Sequence, residues 1–135
     1  MYAKIMIAVD GSEVSRNALQ EGCHVARSYG ANLCLVHVIG DGDEAAGQIG
    51  RDVLSRAAST VPGEIHTETR LLRADADYGL NGVAEAIADA VKDWKADLLV
   101  VGTSNRRGLE RLVIGSVAEQ VIAKVESSML LVRPR

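Results

Sequence analysis

Short runs of branched and aliphatic residues alternate along this chain with segments whose apolar residues recur at helical spacing. That alternation restricts the fold more than any other feature. Lys4–Val9 reads as the first strand, Leu33–Val38 as the second, Ile65–Leu72 as the third, Leu98–Val101 as the fourth and Met129–Val132 as the fifth. Val14, Ala18, Gly22, Val25, Ala26 and Tyr29 form the stripe of a first helix. Leu80, Val83, Ala84, Ile87, Val91 and Trp94 mark another, and Val117, Val121 and Val125 the last. Ala45–Ala58 is the expected second helix, although Gly47 and Gly50 lower its propensity. Strands alternating with helices imply parallel βαβ units, and near-continuous apolar runs suit a sheet covered on both faces. The expected class is therefore α/β, a single doubly wound, five-stranded, mainly parallel sheet with helices on both faces.

Right-handed crossovers and one reversal of winding leave a few strand orders, among them 3-2-1-4-5, which makes strands 1 and 4 neighbours. Ligands of open α/β sheets bind beyond the carboxyl ends of the strands at such a reversal. The loops concerned are Asp10-Gly11-Ser12 and Gly102-Thr103-Ser104-Asn105, both polar and without bulk.

Composition narrows the function. A length of 135 residues accommodates one domain, residues 1–135, and no second. The net charge of -3 argues against a nucleic-acid binder held by bulk electrostatics. With no Phe, one Trp and three Tyr, base stacking is poorly served as well. The opening apolar run meets Asp10 too soon for a signal segment, and no stretch approaches the roughly 18 residues of a membrane span. A cytoplasmic protein without membrane contact is expected. Cys23 and Cys34 show no metal or redox spacing and read as reduced structural thiols. His24, His37 and His66 fall on different expected elements with no shared carboxylate or ligand spacing, so no metal site is expected from them.

The segment from Gly102 to Ser116 carries the chemistry. Gly102 permits close backbone approach or a positive φ, and Asn105 is one of the few other residue types that enters the left-handed region cheaply. Gly115 and Ser116 stand where the last helix begins, and the free N–H groups of a first turn attract anions. Arg106 and Arg107 lie between and can add charge-assisted contacts to phosphate. A second reading fits the same residues. Ser116 with Glu119 makes a capping box that satisfies the helix's own N–H groups without a ligand, and Arg106, Arg107 and Arg111 then form a solvated face.

Gly102, two residues, Asn105, nine residues and Gly115-Ser116 reproduce the spacing of the G-2x-G-9x-G-[S/T] motif that follows the fourth strand in nucleotide-binding universal stress proteins. Val9-Asp10-Gly11-Ser12 resembles the opening strand and turn of that family. Leu35-Val36-His37-Val38 resembles its second strand, Ala96 to Gly102 its fourth and Met129 to Val132 its last, so the similarity spans nearly the whole chain. The resemblance implies the family fold with order 3-2-1-4-5, a homodimer joined through the last strand, and a site for ATP or the related AMP or ADP, with Mg2+ as a candidate companion. By position, Ala8 and Val9 would border the adenine pocket, Asp10 would face base or ribose, and Val38 would pack on the adenine. Val101, Gly102 and Thr103 would lie along the sugar and first phosphate, and Asn105, Arg106, Gly115, Ser116 and Val117 around the phosphates. The second motif glycine is Asn105 here, which can crowd a phosphate yet keep the turn and donate an amide hydrogen bond. Weakened, not abolished, binding is the expectation.

The function expected is a stress-response protein that binds an adenine nucleotide as a sensor or regulatory module. The alternative is a dimeric interaction module of the same family that meets an unidentified protein partner and binds no nucleotide. No phosphate-binding G-x-x-x-x-G-K-[S/T] loop is present and no base and nucleophile can be paired, so any catalysis would be slow ATP hydrolysis at most. A phosphoacceptor domain would need an acidic cluster near strand 1, where a single Asp stands.

Overall fold

The computed structural model describes residues 1–42, 44–75, 79–103 and 116–134. Along these the chain runs β1 (Lys4–Ala8), α1 (Glu13–Tyr29), β2 (Asn32–Gly40), α2 (Glu44–Ser59), β3 (Thr67–Ala74), α3 (Gly79–Trp94), β4 (Leu98–Gly102), α4 (Ser116–Lys124) and β5 (Ser128–Val132). The strands form one sheet in the order β3-β2-β1-β4-β5. Every pairing is parallel, which sharpens the expectation of a mainly parallel sheet. Ile5, on the central strand, pairs with Leu33 on one side and Leu98 on the other.

Alternation along the strands divides the core in two. Ile5, Ile7, Leu33, Leu35, Leu98 and Val100 face α1 and α2, where they meet Ala18, Leu19, Ala26 and Leu54. Met6, Cys34, Val36, Leu99 and Val101 face α3 and α4, against Ala84, Ile87, Val91, Trp94 and Val121. β1, β2 and β4 are thus apolar on both faces because both faces are covered. Trp94, expected in the core, is buried there, and its indole N–H donates to Glu68 Oε1 at 2.9 Å. Cys34 is fully buried and Cys23 half-buried, both as free thiols.

Helix α1 begins at a Ser12 cap whose side chain accepts from Ser15 N–H, and ends at Gly30, left-handed at φ 66°, whose N–H donates to Ala26 O. Helices α1 and α2 approach the sheet through glycine. A Cβ on Gly22 would collide with Ile7 Cδ1, and one on Gly50 would lie 2.6 Å from Leu71 Cδ1 and 2.9 Å from His37 Cδ2. The glycines that lower the intrinsic propensity of α2 therefore mark where it rests on β2 and β3.

Three expectations shift. The third strand starts at Thr67 instead of Ile65, because Ile65 closes a turn with its N–H on Pro62 O at 3.1 Å, and pairing with β2 continues to Ala74. Tyr29 leaves the core stripe and stands 47% exposed, edge to face with Tyr2 at 5.5 Å, while Leu19 takes the buried position. The last helix closes at Lys124, with Val125 donating to Val121 O as a terminal bond.

Gly22→Leu should lower stability by about 2–3 kcal/mol through overpacking against Ile7. Gly63→Ala, where a new Cβ meets nothing within 4 Å, should change it by less than about 0.5 kcal/mol. Urea midpoints of the two variants against the native chain check both.

Candidate functional site

Because β1 lies between β2 and β4, the carboxyl ends of all three strands meet at one edge of the sheet. From there the chain leaves β1 toward the helices of one face, and the helix that follows β4 packs on the other. Such a divergence is where open α/β sheets form a ligand crevice, here above β1 and β4. Ala8, Val38 and Val101 turn their side chains to the α3/α4 face at this edge. Val101 is buried, while Ala8 and Val38 are half-buried. β2 projects beyond β1, since Ala8 pairs with Val36, so Val38 overhangs the end of the central strand.

Val9 lies on the α1/α2 side and is buried, with its N–H on Val36 O at 2.9 Å. Gly102 faces the same side. Its φ is not positive, and its requirement for glycine comes from crowding, because a Cβ would sit 3.0 Å from both Val14 O and Val14 Cγ2. Of the two roles open to Gly102 in the sequence, close approach is the one realised.

The turn after β1 is held by Asp10. Its Oδ1 accepts from Ser12 N–H at 2.9 Å, its own N–H donates to Ser15 Oγ at 3.3 Å, and Gly11 between them is left-handed at φ 85°. Ser15 N–H in turn donates to Ser12 Oγ at 3.2 Å. Partial burial pushes the Asp10 carboxyl up, but hydrogen bonds from Ser12 and Ser15 and the nearby His37 outweigh it, and the net shift is downward from 3.8. Asp10 is accordingly a carboxylate at neutral pH, able only to accept.

His37 is the member of this constellation that spacing did not reveal. It stands across the β1–β2 pair, and its Nδ1 lies 2.8 Å from Val9 O. A carbonyl only accepts, so Nδ1 carries the hydrogen and a neutral ring presents Nε2 as an acceptor. Only the strand order brings it beside Asp10, a carboxylate the sequence did not assign to it.

Thr103 is buried, and both its N–H, at 2.8 Å, and its hydroxyl, at 3.4 Å, are directed to Val132 O. It fastens the end of β4 to β5. Ser116 opens α4, but its side chain and that of Val117 lie outside the described residues, as do Asn105, Arg106, Arg107, Arg111 and Gly115. The capping-box reading of Ser116 falls there too. Among the described residues no group of three or more His, Cys, Asp or Glu could hold a metal ion, and no helix is long and apolar enough to cross a membrane.

Residues 1–133 match the universal stress protein family. The chain is 32% identical to a universal stress protein of Thermus aquaticus, over 98% of this chain and all of that one. It superposes on a universal stress protein from Archaeoglobus fulgidus with a TM-score of 0.82 and 26% identity, covering 98% of this chain and 99% of that one. A structure of the Archaeoglobus protein in complex with dAMP superposes with a TM-score of 0.77 and 25% identity, covering 97% of this chain and 98% of that one. The chain belongs to the universal stress protein family.

Asp10→Ala removes the acceptor of the Ser12 N–H and should cost about 1 kcal/mol at pH 7. Because the folded-state value lies below 3.8, this contribution is complete above that pH and disappears as the pH falls through the lowered value. Urea titrations of native and variant chains between pH 7 and pH 2.5 should show the two stabilities converging on the acid side.

Proposed function

We propose that this universal stress protein binds an adenine nucleotide in the crevice above β1 and β4 and serves as a nucleotide-dependent sensor or regulatory module. The observation that carries the reading is the convergence of Ala8, Val38 and Val101 on one side of the strand ends, with the Asp10 carboxylate in the turn that follows β1. Three aliphatic side chains make a flat apolar bed for a purine, and a carboxylate accepts from a ribose hydroxyl or an exocyclic amine. The dAMP complex of the Archaeoglobus relative supports a nucleoside monophosphate as the common element of the ligand.

ATP is the form we favour, with AMP and ADP as related ligands. In this reading the backbone of Gly102 lies along the first phosphate at the end of β4. Gly115, Ser116 and Val117 offer the N–H groups of the first turn of α4, while Asn105 and Arg106 contribute side-chain donors. Thr103 acts through position, since its polar groups are engaged by Val132. Mg2+, where it accompanies ATP, would be held chiefly by phosphate oxygens and water, the usual mode for this ion.

The same reading includes a homodimer through β5. The sheet has two edge strands of opposite character. β3 carries Glu68, Arg70 and Arg73, and Arg70 pairs with Glu68 and Asp93. β5 presents Met129, Leu130 and Leu131, all half-buried, and no acid or base between Ser128 and Val132. Charge protects an edge from pairing, and an apolar unpaired edge invites it.

Isothermal titration of nucleotide-stripped protein with ATP, AMP and dAMP should give saturable binding, and Asp10→Asn, which keeps an acceptor for Ser12 N–H, should weaken it about tenfold, or 1.4 kcal/mol. Absence of binding by any of the three returns the protein to the interaction-module reading. Asn105→Gly should tighten ATP if crowding by asparagine limits the native affinity. Light scattering should report a dimer that Met129→Lys converts to a monomer.

A further inference from the structure

A second cavity lies on the opposite face of the sheet from Ala8, Val38 and Val101. It is a groove of about 420 Å³ between α1 and α2, floored by Val9 and walled by Leu19, Cys23, Val53, Ala57 and Pro62. Its volume falls in the range of small-molecule sites, about 300–1,000 Å³. The rim holds Arg16, His24, Arg27 and Arg56, and no Asp or Glu lines it. In a chain with 18 acidic and 15 basic residues, a lining with three arginines and no carboxylate departs from the overall balance.

We propose that this groove binds a single-chain amphiphile with an anionic head, a long-chain fatty acid carboxylate. The walls supply a surface for hydrocarbon, and the rim supplies guanidinium groups matched to a carboxylate. Arg27 is engaged by Glu64 at 2.9 Å, whereas Arg16 and Arg56 form no ion pair among the described residues and face solvent. These two are the head-group partners. From Arg16 to Arg27 the groove follows α1 for roughly 16 Å at 1.5 Å per residue, the reach of an extended acyl chain. Burial pushes the Cys23 thiol up, so it stays protonated at neutral pH and behaves as part of the apolar wall.

Cys23 also reports on occupancy. Cys34 is fully buried and its thiol is pushed up to about 11, so alkylation of the folded chain by N-ethylmaleimide reads Cys23 alone. Myristate, kept below its micellar concentration, should slow that alkylation at least tenfold and saturably. Myristyl alcohol and dodecyltrimethylammonium should not protect at the same concentration. Arg16→Glu combined with Arg56→Glu, both on exposed positions, should raise the myristate midpoint at least tenfold while the urea midpoint stays near native. Ala57→Phe, which narrows the groove, should weaken protection with the rim intact. The proposal is overturned by unprotected alkylation, by equal protection from the alcohol, by indifference to the double charge reversal, or by protection from ATP in place of myristate. It does not rest on the nucleotide reading, although Val9, Gly11 and Ser15 bring one end of the groove to the turn that holds Asp10.

Discussion

The parallel pairing of β1 with β4 is the contact on which the rest of the molecule depends. It joins two halves of a chain wound in opposite senses, so the helices that follow the two strands lie on opposite faces of the sheet. The reversal brings Asp10 and Gly102, more than ninety positions apart, to the ends of neighbouring strands. The pairing is secured at its other end by the Asp97 side chain, which accepts from Ala3 and Lys4 N–H at 2.8 and 3.0 Å.

How far the fold was legible depended on burial. Strands covered on both faces are apolar on both, and β1 from Ile5 and β4 show themselves as uninterrupted runs, with β2 broken only by His37 between Leu33 and Ile39. β3 lies at an edge, where Glu68, Arg70 and Arg73 break the pattern, and the apolar Ile65 before it misplaces its start. Gly47 and Gly50 weaken α2 when each residue is judged by propensity, because propensity takes no account of what the helix rests on. The candidate site was legible where a residue type has a backbone reason, as at Gly102, or a turn reason, as at Asp10. His37 carried no such signal. Its place beside Asp10 follows from the strand order, and its bond to the Val9 carbonyl from the register of β1 on β2.

Gly102 and Gly22 perform one task from two directions. One relieves the first turn of α1 against β4 and the other its middle against β1, so the helix lies close over both central strands along its length. The turn that positions Asp10 is therefore mounted on a helix that has little freedom to lift. The other flank of α1 borders the groove toward α2, so a single element forms one wall of that groove and fixes the entrance of the crevice.

The unequal edges of the sheet bear on how many copies can associate. Two chains meeting at β5 through a twofold axis consume both receptive edges, and the ends left outward are the charged β3 strands. Such a union is self-limiting: the pair is a finished object with no receptive edge for a third chain. Were the polarity reversed along only one strand, the same backbone would offer a propagating edge, and the distinction between a discrete particle and a fibre would rest on Glu68, Arg70 and Arg73.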